Sequence, residues 1–144
     1  MALKVFIAGI MQGSRLDRYI DGQDYRLVIA QAILERCPGA EIVDPNELHP
    51  GGVDYDDELA KATLLEMADL AGQADLVVVY AFQASMGTVI EMWQAFQSGI
   101  PVVTISPMAA NWVIKHLSSA ILPDLDAFRS WVAVGGLDKM MNLG

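Results

Sequence analysis

The chain has 144 residues, 53% of them hydrophobic and 19% charged, which suits one domain with a sizeable core and excludes a disordered or low-complexity chain. Nine Lys and Arg against eighteen Asp and Glu leave a net charge of -9. Such a surface repels nucleic-acid polymers and anionic lipid, so a small anionic ligand has to be held by local dipoles. Cys37 is the only cysteine, which excludes an internal disulfide and a cysteine-based metal cluster. The first residues read as a strand and not as a targeting peptide. No apolar run reaches the ~20 residues of a membrane span. The expectation is a cytoplasmic protein with one domain over residues 1–144.

Leu3 to Ala8 is a continuous apolar run of strand type that ends at Gly9. After a polar loop, Asp24 is placed to cap a helix over Tyr25 to Arg36, with Leu27, Ile29, Ala30, Ile33 and Leu34 at helical spacing. Ala40 to Val43 predicts a second strand, and a loop rich in Gly, Pro and Asn runs from there to about Asp54. Asp56 and Asp57 open a helix to roughly Ala71, which Gly72 ends. Leu76 to Tyr80 is the most strand-like segment, followed by a turn over Gln83 to Gly87 and a helix over about Thr88 to Gln97. Pro101 to Ser106 predicts a fourth strand, and helical patterns cover Ala110 to Ser118 and Asp124 to Trp131. Gly135 to Gly144 carries no clear period.

Strands apolar on both faces, alternating with helices, imply right-handed crossovers and a parallel sheet. The expected architecture is α/β: a single-domain three-layer α/β/α sandwich with a flavodoxin- or Rossmann-like sheet of about five strands. Ligands of such sheets bind beyond the carboxyl ends of the strands, which singles out the loops 9–23, 44–56, 81–87 and 106–111.

The sharpest local signal is the segment from Ala84 to Glu91. Gly87 lets a backbone come close to a ligand, and the following helix aims unpaired N–H groups at it. By these boundaries Glu91 falls in the first helical turn, where the macrodipole favours the ionised form that a carboxylate nucleophile needs. His49 and His116 are too few and too scattered for a metal site. Trp93 and Trp112 suit a subunit contact or a stack on a base.

A resemblance now becomes specific. The first strand ending in Gly9, the Gly13-Ser14-Arg15-x-Asp17-Arg18 loop, Ala74-Asp75 opening an apolar strand, and Ser-x-Gly-x-x-x-Glu ending sixteen residues on at Glu91 together resemble the nucleoside 2-deoxyribosyltransferase superfamily. The likeness covers about residues 3–119 and extends to the related 2'-deoxynucleoside 5'-phosphate N-hydrolases. It implies cleavage or transfer at an N-glycosidic bond through a covalent glycosyl-enzyme on Glu91. The substrates would be a nucleoside or nucleotide and a free nucleobase, with no cofactor and no metal.

By the same resemblance Gly9, Gln12, Ser14, Arg15, Ser85, Met86, Gly87 and Asn111 surround the substrate. Ser85, six residues before Glu91, stands where the transferases tend to carry aspartate and the phosphate-dependent hydrolases serine. The first loop departs from those hydrolases, with Ile10 and Gln12 at places where they hold phosphate. The family's general acid would fall at Met67, so the flanking Asp69 and Glu66 are the candidates, with Asp54, Asp56 and Asp57 as alternatives. Asn111 falls near a segment that reaches a neighbouring subunit's site, which implies a homo-oligomer of at least two chains. A non-catalytic nucleotide-binding module is the reading from a different class.

Overall fold

The computed structural model describes residues 2–9 and 23–143. The expectations placed on Ile10, Gln12, Ser14 and Arg15 lie outside them. Five parallel strands form one sheet: β1 (Lys4–Gly9), β2 (Glu41–Val43), β3 (Leu76–Tyr80), β4 (Val102–Ile105) and β5 (Ala120–Leu122), in the order β2-β1-β3-β4-β5. The helices are α1 (Asp24–Arg36), α2 (Pro45–Leu48), α3 (Asp57–Gln73), α4 (Met86–Gln97), α5 (Trp112–Leu117), α6 (Leu125–Ala133) and α7 (Gly136–Met140). A single 3₁₀ turn covers Gly52–Asp54.

The period of two along a strand divides the core into two faces. Val5, Ile7, Val78, Val103 and Ile105 pack against Ile29 and Ile33 of α1, Phe128 and Val132 of α6 and Leu137 of α7. On the other face Phe6, Ala8, Val77, Val79 and Val102 meet Met67 and Ala71 of α3, Met92 and Ala95 of α4 and Ile114 of α5. Because both faces are covered, the strands are apolar apart from Lys4, Glu41 and the buried Thr104. Gly9 lies level with Tyr80, and Tyr80 with Ile105, so the strands end together. The chain runs outward from β1 to β2 and then returns to place β3 on the other flank of β1. That reversal leaves a crevice at the carboxyl ends of β1 and β3.

Several boundaries differ from the sequence expectation. Asp24 does not cap α1; it lies in the first turn, and Gln23 holds the cap position without a side-chain cap on a helix N–H. Leu27 and Leu34 are exposed, since the buried stripe runs through Tyr25, Arg26, Ile29, Ala32 and Ile33. The stretch expected as loop after β2 contains α2, capped by the Asp44 carboxylate, which accepts the Asn46 N–H at 2.9 Å. Gly72 does not end α3. It lies inside the helix, where a Cβ would come within 3.0 Å of Gln94 Cγ, so its small size lets α3 and α4 pack closely. β5 and α7 are elements that the sequence pattern did not place.

Candidate active site

A cavity of about 620 Å³ opens at the crevice beyond the carboxyl ends of β1 and β3. Its walls are Gly9 at the end of β1, Pro45, His49 and Tyr55 after β2, Ala60, Thr63, Leu64 and Met67 of α3, and Ser85, Met86, Gly87, Thr88 and Glu91 at the start of α4. A second cavity of about 630 Å³ lies against α1 and α6, but its polar lining of Glu35, Arg36, Asp126 and Arg129 is entirely exposed. Arg36 is already bound there to Asp138 at 2.7 Å. The first cavity is the one with buried polar chemistry.

Ser85 sets the start of α4. Its Oγ accepts the Thr88 N–H at 3.4 Å and the Thr88 hydroxyl at 2.9 Å. Helical spacing then brings Gly87, Thr88 and Glu91 to the cavity while Met92 and Ala95 turn to the sheet. Since α4 begins at Met86, Glu91 stands in its second turn, beyond the reach of the terminal dipole. Burial governs its chemistry. Glu91 keeps partial contact with solvent through the cavity, yet desolvation of the carboxyl pushes it from 4.5 up to about 8, and the Arg26 guanidinium pulls it back. The carboxyl is therefore held protonated at neutral pH, contrary to the ionised form that a first-turn position implied.

Arg26 is 2% exposed and hydrogen-bonded at all three guanidinium nitrogens. It donates to the carbonyls of Ile7 (3.2 Å) and Gly9 (3.3 Å), to the Asp44 carboxylate (2.9 Å) and to the Gln23 side chain (2.7 Å). One side chain thus ties together the carboxyl ends of β1 and β2 and supplies the positive charge that acts on Glu91. Beside it the Tyr25 ring stacks on Tyr80 with centroids 4.1 Å apart. Burial raises the Tyr25 hydroxyl well above its usual range, so it stays neutral. A Cβ on Gly9 would run into the Tyr25 hydroxyl and ring, which is why glycine ends β1.

The two carboxylates expected as general acid do not line this cavity. Asp69 is exposed on α3, away from the buried Met67–Ala71 stripe. Glu66 is also exposed, and its Oε1 lies 3.9 Å from His49 Nε2. His49 does line the cavity, as does Tyr55, whose hydroxyl is 2.8 Å from His49 Nδ1. Of the alternatives, Asp56 is the cap of α3 and Asp57 is at the cavity wall. Asn111 caps α5 with its Oδ1 on the N–H groups of Val113 and Ile114 and is exposed, apart from the cavity in this chain. Met86 is 83% exposed at the rim.

Arg26, His49 and Tyr55 are the site residues that sequence reasoning missed. A signal existed for Arg26, a charge three and seven residues before Ile29 and Ile33 on one helical stripe. Among the described residues no three His, Cys, Asp or Glu side chains gather as a metal ion would need, and no helix is long and apolar enough to cross a membrane.

No family model and no curated protein sequence matches the chain. Solved structures do. A 2-deoxyribosyltransferase from the psychrotolerant bacterium Bacillus psychrosaccharolyticus superposes with a TM-score of 0.66 at 16% identity, over 88% of this chain and 90% of that one. A conserved protein from Enterococcus faecalis V583 superposes with a TM-score of 0.63, also at 16% identity, over 93% of this chain and 99% of that one. At this identity the likeness is one of architecture. The chain has a 2-deoxyribosyltransferase-like α/β fold, with its cavity at the topological switch point of the sheet.

Proposed function

We propose that this protein cleaves, or transfers at, the N-glycosidic bond of nucleosides or deoxynucleosides through a covalent glycosyl-enzyme on Glu91. The observation that carries this reading is a desolvated carboxyl aimed at a cavity large enough for a nucleoside, at the switch point of the sheet. Attack by a Glu91 oxygen on the anomeric carbon proceeds as the bond to the base breaks, through a transition state with oxocarbenium character. A carboxylate whose charge is costly in the empty site gains most from a cation forming beside it. Water then displaces Glu91 in a hydrolase, and a second nucleobase does so in a transferase.

A 5'-monophosphate N-hydrolase is the second reading, and Ser85 favours it. Its oxygen already accepts from Thr88 twice, and no bond among the described residues uses its proton, which suits donation to a phosphate oxygen at the start of α4. Self-association is part of the proposal. Val89, Ile90, Trp93 and Phe96 form an exposed apolar stripe on α4, and Asn111 keeps its amide NH₂ for a neighbour's site.

Chromatography of reactions containing a deoxynucleoside, or its 5'-monophosphate, with and without a second base tests all of this. Wild type is expected to release free base or form a new nucleoside, and Glu91→Ala to lose at least ~10³-fold of the rate. Wild-type turnover in Glu91→Ala overturns the assignment of Glu91. Base released only from the monophosphate selects the hydrolase. Binding without turnover in every mixture selects a non-catalytic nucleotide-binding module.

A further inference from the structure

We propose that Tyr55 and His49 form the relay that protonates the departing base, with Glu66 as the positioning residue behind them; this rests on the glycosidic reading of Glu91. A leaving nucleobase needs a proton, and neither carboxylate expected to supply it lines the cavity. Tyr55 and His49 do line it, the Tyr55 hydroxyl and His49 Nδ1 joined by a 2.8 Å hydrogen bond, with the rings at 89° to each other. Glu66 Oε1 stands 3.9 Å from the other ring nitrogen, within ion-pair distance once the ring carries a proton.

Backbone geometry fixes both groups. His49 ends α2, its N–H on the Pro45 carbonyl at 2.9 Å, and α2 is pinned at its start by Asp44, the carboxylate that holds Arg26. Tyr55 ends the 3₁₀ turn, its N–H on the Gly52 carbonyl at 3.2 Å. The charged groups around the pair are Glu66 of α3, beside His49, and Asp57, Glu91 and Arg26, which share the cavity wall. Asp57 sits exposed in the first turn of α3, where a carboxylate complements the helix dipole.

In the first step the bond from the anomeric carbon to the base nitrogen breaks and its electron pair stays on the nitrogen. The nitrogen takes the Tyr55 hydroxyl proton, the Tyr55 oxygen takes the proton of His49 Nδ1, and the imidazolium becomes neutral imidazole. Glu91 reacts as the carboxylate, having released its own proton to solvent beforehand, and its bond to the anomeric carbon forms at the same time. In the second step the oxygen of water bonds to that carbon as Glu91 leaves, and the proton lost by the water returns through Tyr55 to His49.

The experiment compares a deoxynucleoside with a nitrophenyl 2-deoxyriboside, whose leaving group needs no proton; both are 5'-phosphorylated if the enzyme requires it. His49→Gln and Tyr55→Phe are expected to lose ~10²–10³-fold on the nucleoside and only a few-fold on the nitrophenyl glycoside. Equal losses on both substrates, or none on either, overturn the relay, as does the selective loss appearing in Asp57→Asn instead. If Glu91→Ala abolishes both reactions while His49→Gln alters neither, the glycosidic reading stands and the relay falls. If wild type turns over neither substrate, the glycosidic reading itself fails and takes the relay with it.

Discussion

The buried carboxyl of Glu91 is costly to the fold when charged, and the cost depends on pH. Burial raises its carboxyl from 4.5 to about 8, so the folded chain binds that proton more tightly than the unfolded chain does. The resulting stability is fully present below about 4.5 and is lost as pH rises through about 8. Glu91→Gln keeps the shape without the charge. Between pH 5 and 9 its unfolding free energy in urea should therefore gain on that of wild type by roughly 3 kcal/mol, below the full linkage value because the residue keeps some solvent contact. Parallel curves for the two proteins would show that the carboxyl is not desolvated. The position of Glu91 was legible in the Ser85-x-Gly87 spacing before it. Its protonation was not, because burial and the opposing Arg26 come from a chain segment about sixty residues away. His49 was unreadable for a related reason. A lone histidine says little until Tyr55 and Glu66 fold against its two nitrogens.

Elements were legible where apolar period and capping agree. β3 stands as expected because its five residues are all apolar and Asp75 precedes them. α3 and α6 begin where Asp56 and Asp124 accept the N–H groups three residues on. Three-residue β5 has too few positions to show alternation, and α1 lost its phase because the buried stripe holds Arg26 while Leu27 lies in solvent. For α4 the cap decides the site as well as the boundary. Ser85→Ala should cost about 1 kcal/mol in denaturant unfolding and loosen the turn that carries Gly87 and Thr88. Ser85→Asp restores a capping oxygen, so stability should return, while its charge repels a phosphate. It is therefore expected to raise KM for a 5'-monophosphate at least tenfold more than for the free nucleoside, a difference of about 1.4 kcal/mol. Equal KM changes on the two substrates would show that Ser85 does not touch the phosphate.

The whole molecule carries a net charge of -9, yet Leu59 and Leu65 of α3 and Ile90, Trp93 and Phe96 of α4 are between 44% and 56% exposed. Scattered apolar residues are ordinary on a surface, but Trp93 and Phe96 stack at 5.9 Å on one helix face, and α3 packs directly against that helix. A contact there would bury aromatic side chains at its centre, where truncation costs most. In sedimentation, wild type is expected as a dimer or larger assembly, and Trp93→Glu should weaken it by ~100-fold or more, since a carboxylate would be buried without a partner. Wild type that sediments as a monomer at all concentrations rejects the assembly. The assembly also bears on the site. Asn111, exposed at the start of α5 and apart from its own chain's cavity, can serve catalysis only in a neighbour. If it does, activity per chain falls as wild type is diluted through its dissociation constant, and Asn111→Ala loses that activity while still assembling. Activity per chain that stays constant across the dissociation would mean each cavity is complete on its own, with Asn111 left as the cap of α5.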